Sequence, residues 1–115
     1  MKKLETFLKG KFPTSFVRKS HGAKLAEAMI GRSLGGASFE VPEAFDLKVE
    51  AIEEDLNLAI TKFYLDCGYK QSSQRNVQMK HFGSDLSFEN DDTKLFIVIT
   101  SFDGYFKISV TVIKN

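Results

Sequence analysis

Tryptophan is absent from this sequence, cysteine occurs once and proline twice. The lone cysteine, Cys67, excludes a disulfide framework and a thiol metal site. Such usage suits a reducing compartment, so a cytoplasmic location is expected. Long apolar runs are also missing, and nothing approaches the ~18 apolar residues of a membrane span. Met1-Lys2-Lys3-Leu4 makes a basic start, but Glu5 and Lys9 interrupt any apolar core of a secretory signal. No catalytic, metal or cofactor motif rises above background. The expectation is a protein with no cofactor, no metal and no enzymatic activity.

What is present is an ordinary globular composition, 43% hydrophobic and 27% charged over 115 residues. That length suits one domain. A domain of this size buries roughly 65% of its unfolded surface, enough for one core. The aromatics are skewed to eleven Phe, read first as core filling. The net charge of +1 is unevenly spread: residues 1–32 hold eight Lys and Arg against two acids, and the remainder eight against thirteen. The N-terminal part is therefore expected to touch something acidic, which includes the rest of the chain.

The first 45 residues carry weak signals. Residues 2–8 suit a short helix, and Gly10, Pro13 and Gly22 interrupt the pattern around it. Residues 22–34 suit a second helix ended by Gly35-Gly36, and 39–45 with Pro42 read as extended or loop. Asp46 then reads as the N-cap of a long helix over 46–67, with acids in its first half and Gly68 as its stop. One apolar stripe comprises Val49, Ile52, Leu56, Ala59, Ile60, Phe63 and Cys67. A second comprises Leu47, Ala51, Leu58 and Leu65. Two stripes need two covers: one is the sheet, and the other is the N-terminal segment or a partner, with the segment favoured.

The rest predicts four strands, over 77–82, 85–89, 94–102 and 105–113. Asp103-Gly104 is a two-residue hairpin signal of type I′. It sets Ile99 against Ile108, Ile97 against Val110 and Leu95 against Val112. The loop at Asn90 sets Phe88 against Leu95 and Leu86 against Ile97. A turn at Gly83-Ser84 sets His81 against Leu86 and Met79 against Phe88. Opposed residues share a face, so these pairs build one apolar layer. The predicted fold is α+β: a helical N-terminal part and a long helix packed on a four-stranded antiparallel β-meander. It forms a single domain over 1–115, with 1–45 a basic, partly helical segment. Many unrelated small domains share that arrangement, so alone it carries no function.

Several residues invite chemistry. His81 suits a general base, but its inward register favours a hydrogen-bonded core or edge histidine. Arg75, Glu89 and His81 would suit a small nuclease, yet the register turns Glu89 outward and His81 inward. Cys67 continues the apolar stripe and reads as a small hydrophobe rather than a nucleophile. Ser20-His21-Gly22 before a helix is a weak phosphate signal. Glu53, Glu54 and Asp55 fan to different sides of a helix, and Asp91-Asp92 reads as turn chemistry, so neither set is a metal site.

The leading expectation is a small non-enzymatic protein-binding domain: a regulator, inhibitor or accessory subunit. Its partner is another protein or a second copy of itself. The interaction surface is placed on the outer sheet face at Phe96, Val98, Phe102, Tyr105 and Lys107, which is more apolar than a solvated face needs. The alternative is a nucleic-acid-binding accessory protein using Lys9, Lys11, Arg18, Lys19, Lys24 and Arg32, interleaved with Phe7, Phe12 and Phe16. The third reading is a small hydrolase or nuclease around His81. No membrane partner is expected.

Overall fold

A computed structural model describes residues 3–19, 39–78 and 82–114. The architecture is α+β, a six-stranded antiparallel sheet with two described helices on one face. In chain order the elements are α1 (Leu4–Lys11), β1 (Phe16–Lys19), β2 (Phe39–Lys48), α2 (Glu53–Asp66), β3 (Lys70–Gln78), β4 (Phe82–Glu89), β5 (Thr93–Phe102) and β6 (Tyr105–Lys114). The strand order is β1-β2-β6-β5-β4-β3. Helix α2 thus carries the chain across the inner face from β2 to the far edge. The meander β3 to β6 walks back until β6 pairs with β2.

The last two hairpins have the register their turns dictate. Ile99 faces Ile108, Ile97 faces Val110, Leu95 faces Val112, Phe88 faces Leu95 and Leu86 faces Ile97. Leu86, Phe88, Leu95, Ile97, Ile99, Ile108 and Val110 are buried beside Leu56 and Phe63 of α2. The Asn90 loop is closed by its own side chain: Oδ1 accepts from the backbone N–H groups of Asp92 (3.0 Å) and Thr93 (2.8 Å) and from Thr93 Oγ1 (2.8 Å). At the other turn only Gly104 takes a positive φ, +87°. A type I′ turn would need positive φ at Asp103 as well, so the expected turn type is corrected. One positive φ at the second central residue is the type II pattern.

Three larger expectations are also corrected. The sheet has six strands rather than four, because residues 39–48 form a strand on β6 and residues 16–19 a strand on β2. The helix does not start at Asp46 but at Glu53, after an N-cap Ile52 that makes no side-chain bond. Glu53, Glu54 and Asp55 in its first turn suit the helix dipole instead. Phe45, Asp46, Leu47 and Lys48 alternate in, out, in, out, and this period of two prevails over the N-cap propensity of Asp46. The first hairpin is shifted as well. Gln78 faces Phe82 and Gln74 faces Leu86, so Gly83 and Ser84 lie within β4 rather than in a turn. The expected positions of Met79 and His81 fall outside the described residues.

The two-stripe helix also dissolves. Leu56, Ala59, Ile60, Phe63 and Tyr64 are buried, whereas Ile52, Leu58, Leu65 and Cys67 are exposed and Leu47 belongs to the sheet core. Helix α1 docks on the buried side of α2, not on the second stripe, with the Phe7 and Phe63 rings 4.9 Å apart. Leu4 and Leu8 are fully buried. A β-bulge between Glu40 and Glu43 accommodates Pro42, which has no N–H to donate. Beyond it the Glu43 carboxylate receives the free N–H groups of α1, Leu4 at 2.9 Å and Glu5 at 3.0 Å. The expected helix over 22–34 lies outside the described residues. Among the described residues no helix is long and apolar enough to cross a membrane.

Candidate functional site

The outer sheet face carries the surface singled out in the sequence, and burial divides it. Thr111 is fully buried there, and Phe96 and Val98 on β5 are half-buried. The open part lies at the opposite end, around the β5–β6 turn and β1, where Phe16 is 66% exposed. Alternation on β1 turns Val17 into the core and Phe16 and Arg18 outward. Cross-strand pairing then sets Phe16 beside Lys48, and Arg18, Asp46 and Lys107 in one row.

Three interactions organise this corner. The Phe102 and Tyr105 rings flank the turn and stack at 5.1 Å with 9° between their planes. Lys107 Nζ lies 5.5 Å from the Phe102 ring centre, a cation–π contact. Arg18 Nη2 donates to Asp46 Oδ2 at 2.9 Å. The burial of this pair is lopsided, with the Arg18 side chain 70% exposed and that of Asp46 9%. The second carboxylate oxygen, Asp46 Oδ1, is buried and accepts no hydrogen bond among the described residues.

Two adjoining grooves follow. One of about 440 Å³ is lined by Phe16, Arg18, Asp46, Lys48, Asp103, Gly104 and Tyr105. The other, about 710 Å³, runs round the end of the sheet past Val49, Glu50, Ala51, Phe102 and Phe106. Phe16, Lys48 and Gly104 border both. Of the five expected protein-contact residues, Phe102, Tyr105 and Lys107 sit together at this corner. Phe96 and Val98 lie further along the sheet. Phe16, Asp46 and Lys48 join the site without having been singled out for it, brought there by the pairing of β1 with β2 and of β2 with β6.

The expected nucleic-acid residues do not form one patch among the described residues. Lys9 and Lys11 are exposed on α1, on the inner side, whereas Arg18 stands on the outer face and is paired with Asp46. The backbone of Lys19 pairs opposite Phe45, and Lys24 and Arg32 lie outside the described residues. His81, the centre of the hydrolase reading, is also outside them. Glu89 is exposed opposite Lys94 and Lys70, and the backbone of Arg75 faces Asp85. Among the described residues no group of three or more His, Cys, Asp or Glu could hold a metal ion.

No protein-family model, curated protein or solved structure matches this chain.

Proposed function

We propose that this chain is a non-enzymatic binding module that recognises another protein through the corner formed by Phe16, Phe102, Tyr105 and Lys107. The observation that carries this reading is the 66% exposure of Phe16 beside the stacked Phe102–Tyr105 pair, at the junction of two grooves. Exposed rings next to a concave surface are what interface cores are built from. The groove residues offer stacking and charge, which is recognition chemistry.

Charge ranks this above the nucleic-acid reading. Stacked rings with Arg and Lys do suit single strands. Here, however, Arg18 is neutralised by Asp46, Lys107 is held over Phe102, and Asp103 and Glu50 border the grooves. Among the described residues that line the grooves, cations and acids balance, without the cationic excess that phosphates need. The test is capture from native lysate by wild type and by Tyr105→Ala, with and without nuclease and at two salt concentrations. A protein retained by wild type, lost with Tyr105→Ala and insensitive to nuclease supports the reading. Retention of nucleic acid alone, collapsing as salt rises, overturns it.

A further inference from the structure

Helix α2 has one uncovered side. Among the described residues, three of the four exposed large hydrophobics lie on it or at its N-cap: Ile52 at 62%, Leu58 at 65% and Leu65 at 48%, the fourth being Phe16. Asp55, Leu58, Lys62 and Leu65 are all exposed, and their spacing of three, four and three residues makes one stripe along the helix. The stripe lies opposite Leu56, Ile60 and Phe63, which are buried in the core. Helix α1 does not cover it, because α1 meets α2 through Phe63 on the buried side. Neither Asp55 nor Lys62 has an ion pair among the described residues.

We propose that this stripe is covered by a second copy of the chain, whose α2 runs antiparallel to the first about a two-fold axis beside Leu58. The stripe is self-complementary in that register. Leu58 meets the partner's Leu58 at the axis, and Asp55 comes level with the partner's Lys62, as Lys62 does with the partner's Asp55. Leu65 comes level with the partner's Ile52. Charge selects this arrangement over its neighbours. A parallel pair would set Lys62 against Lys62 and Asp55 against Asp55. An antiparallel pair with Leu58 on Leu65 would bring the two Lys62 side chains together. A membrane is a poor occupant, because the exposed acids Glu54, Asp55 and Asp66 are repelled by its anionic surface. A helix of 14 residues is only about 21 Å long, so the contact is small and the dimer is expected to be weak. The inference does not rest on the aromatic corner: α2 lies on the inner side of the sheet and Phe16 and Tyr105 on the outer, so the dimer still presents both corners.

Sedimentation equilibrium of the full chain, from about 1 µM to about 1 mM, reads the association. The wild type should pass from monomer to dimer within this range. Leu58→Lys, at an exposed position, should remain monomeric throughout and keep the melting temperature that the dilute wild type shows. Lys62→Glu and Asp55→Lys should each weaken the dimer about tenfold or more, because each sets like charges together at two symmetric places. An equimolar mixture of those two variants should dimerise again, since in the mixed pair every charge meets its opposite. Tyr105→Ala should associate as the wild type does. A wild type that is monomeric at the highest concentration overturns the proposal, and so does a dimer that survives Leu58→Lys. Single variants that lose the dimer without recovery in the mixture overturn the antiparallel register. A dimer lost with Tyr105→Ala and kept with Leu58→Lys places the second copy at the aromatic corner instead. The lysate capture judges the corner as a site for another protein separately.

Discussion

Tyr64 is 2% exposed, with its ring against Phe63, Tyr69 and Phe88. Burial, then the nearby charge of Glu43, then Cys67 and Tyr69, push its hydroxyl far above the ordinary tyrosine range. The folded state thus holds the neutral form, and an unfolded tyrosine ionises near pH 10. A raised folded pKa gives stability that is complete below the unfolded value and is lost as pH climbs past it. Each pH unit above about 10 should therefore remove up to about 1.4 kcal/mol. Tyr64→Phe keeps the ring and removes the proton, so it should flatten this alkaline limb. Urea denaturation at mildly and strongly alkaline pH measures it, and parallel losses in both proteins would rule the account out. Gly104 gives a second residue-scale prediction. Its φ of +87° strains any side chain, although a Cβ there meets nothing within 4 Å. Gly104→Ala should thus cost roughly 1–2 kcal/mol through backbone strain alone, visible as a lower melting temperature.

At the scale of elements, α1 is held by two devices: Leu4, Leu8 and Phe7 in the core, and the Glu43 carboxylate on its first N–H groups. Eight residues are too few to stay helical in water alone. Glu43→Ala should cost about 1.5–3 kcal/mol, the range for hydrogen bonds to a charged group. The loss should be local: amide exchange should quicken across residues 4–11 while β5 and β6 stay protected. Uniform loss of protection would mean that Glu43 supports the whole sheet. The same elements divide what the sequence could and could not reveal. The register of β4, β5 and β6 was legible because each turn is short and each apolar face regular. The stop at Gly68 was legible because its φ of +94° suits glycine. Strand β2 was hidden because Asp46 is a good helix cap and Leu47 and Val49 also fit a helical spacing. Only the partner β6, more than fifty residues later, decides between the two periods. The first hairpin was misplaced because Gly83-Ser84 is strong turn chemistry, whereas Ser84 is in fact an inward residue bonded to Asn57 Nδ2 at 3.0 Å.

For the molecule as a whole, the rings of the candidate site were partly legible, since alternation around Asp103-Gly104 puts Phe102, Tyr105 and Lys107 outward. Phe16 and Asp46 were not, because they arrive through long-range pairing of β1 with β2 and of β2 with β6. The same pairing redistributes the charge that the linear sequence separates. Eight cations against two acids in residues 1–32 suggest a basic arm. In three dimensions Arg18 is spent on Asp46, and Lys9 and Lys11 stand on the other side of the sheet. Affinity for nucleic acid grows with the number of phosphates neutralised together, and each contact steepens the salt dependence by about one unit of logarithmic slope. With few of the described cations converging, that slope should be shallow. Labelled duplex and single strands should bind the full chain no more tightly than about 10⁻⁴–10⁻⁶ M near physiological salt, the range of non-specific contact. Reversing Arg18 with Arg18→Glu should change this little, while placing two acids side by side at the groove and weakening capture of a protein partner. Fluorescence anisotropy across a salt series is the measurement. Sub-micromolar binding with a steep slope, abolished by Arg18→Glu, would show that the cations act together and would restore the nucleic-acid reading over the protein one.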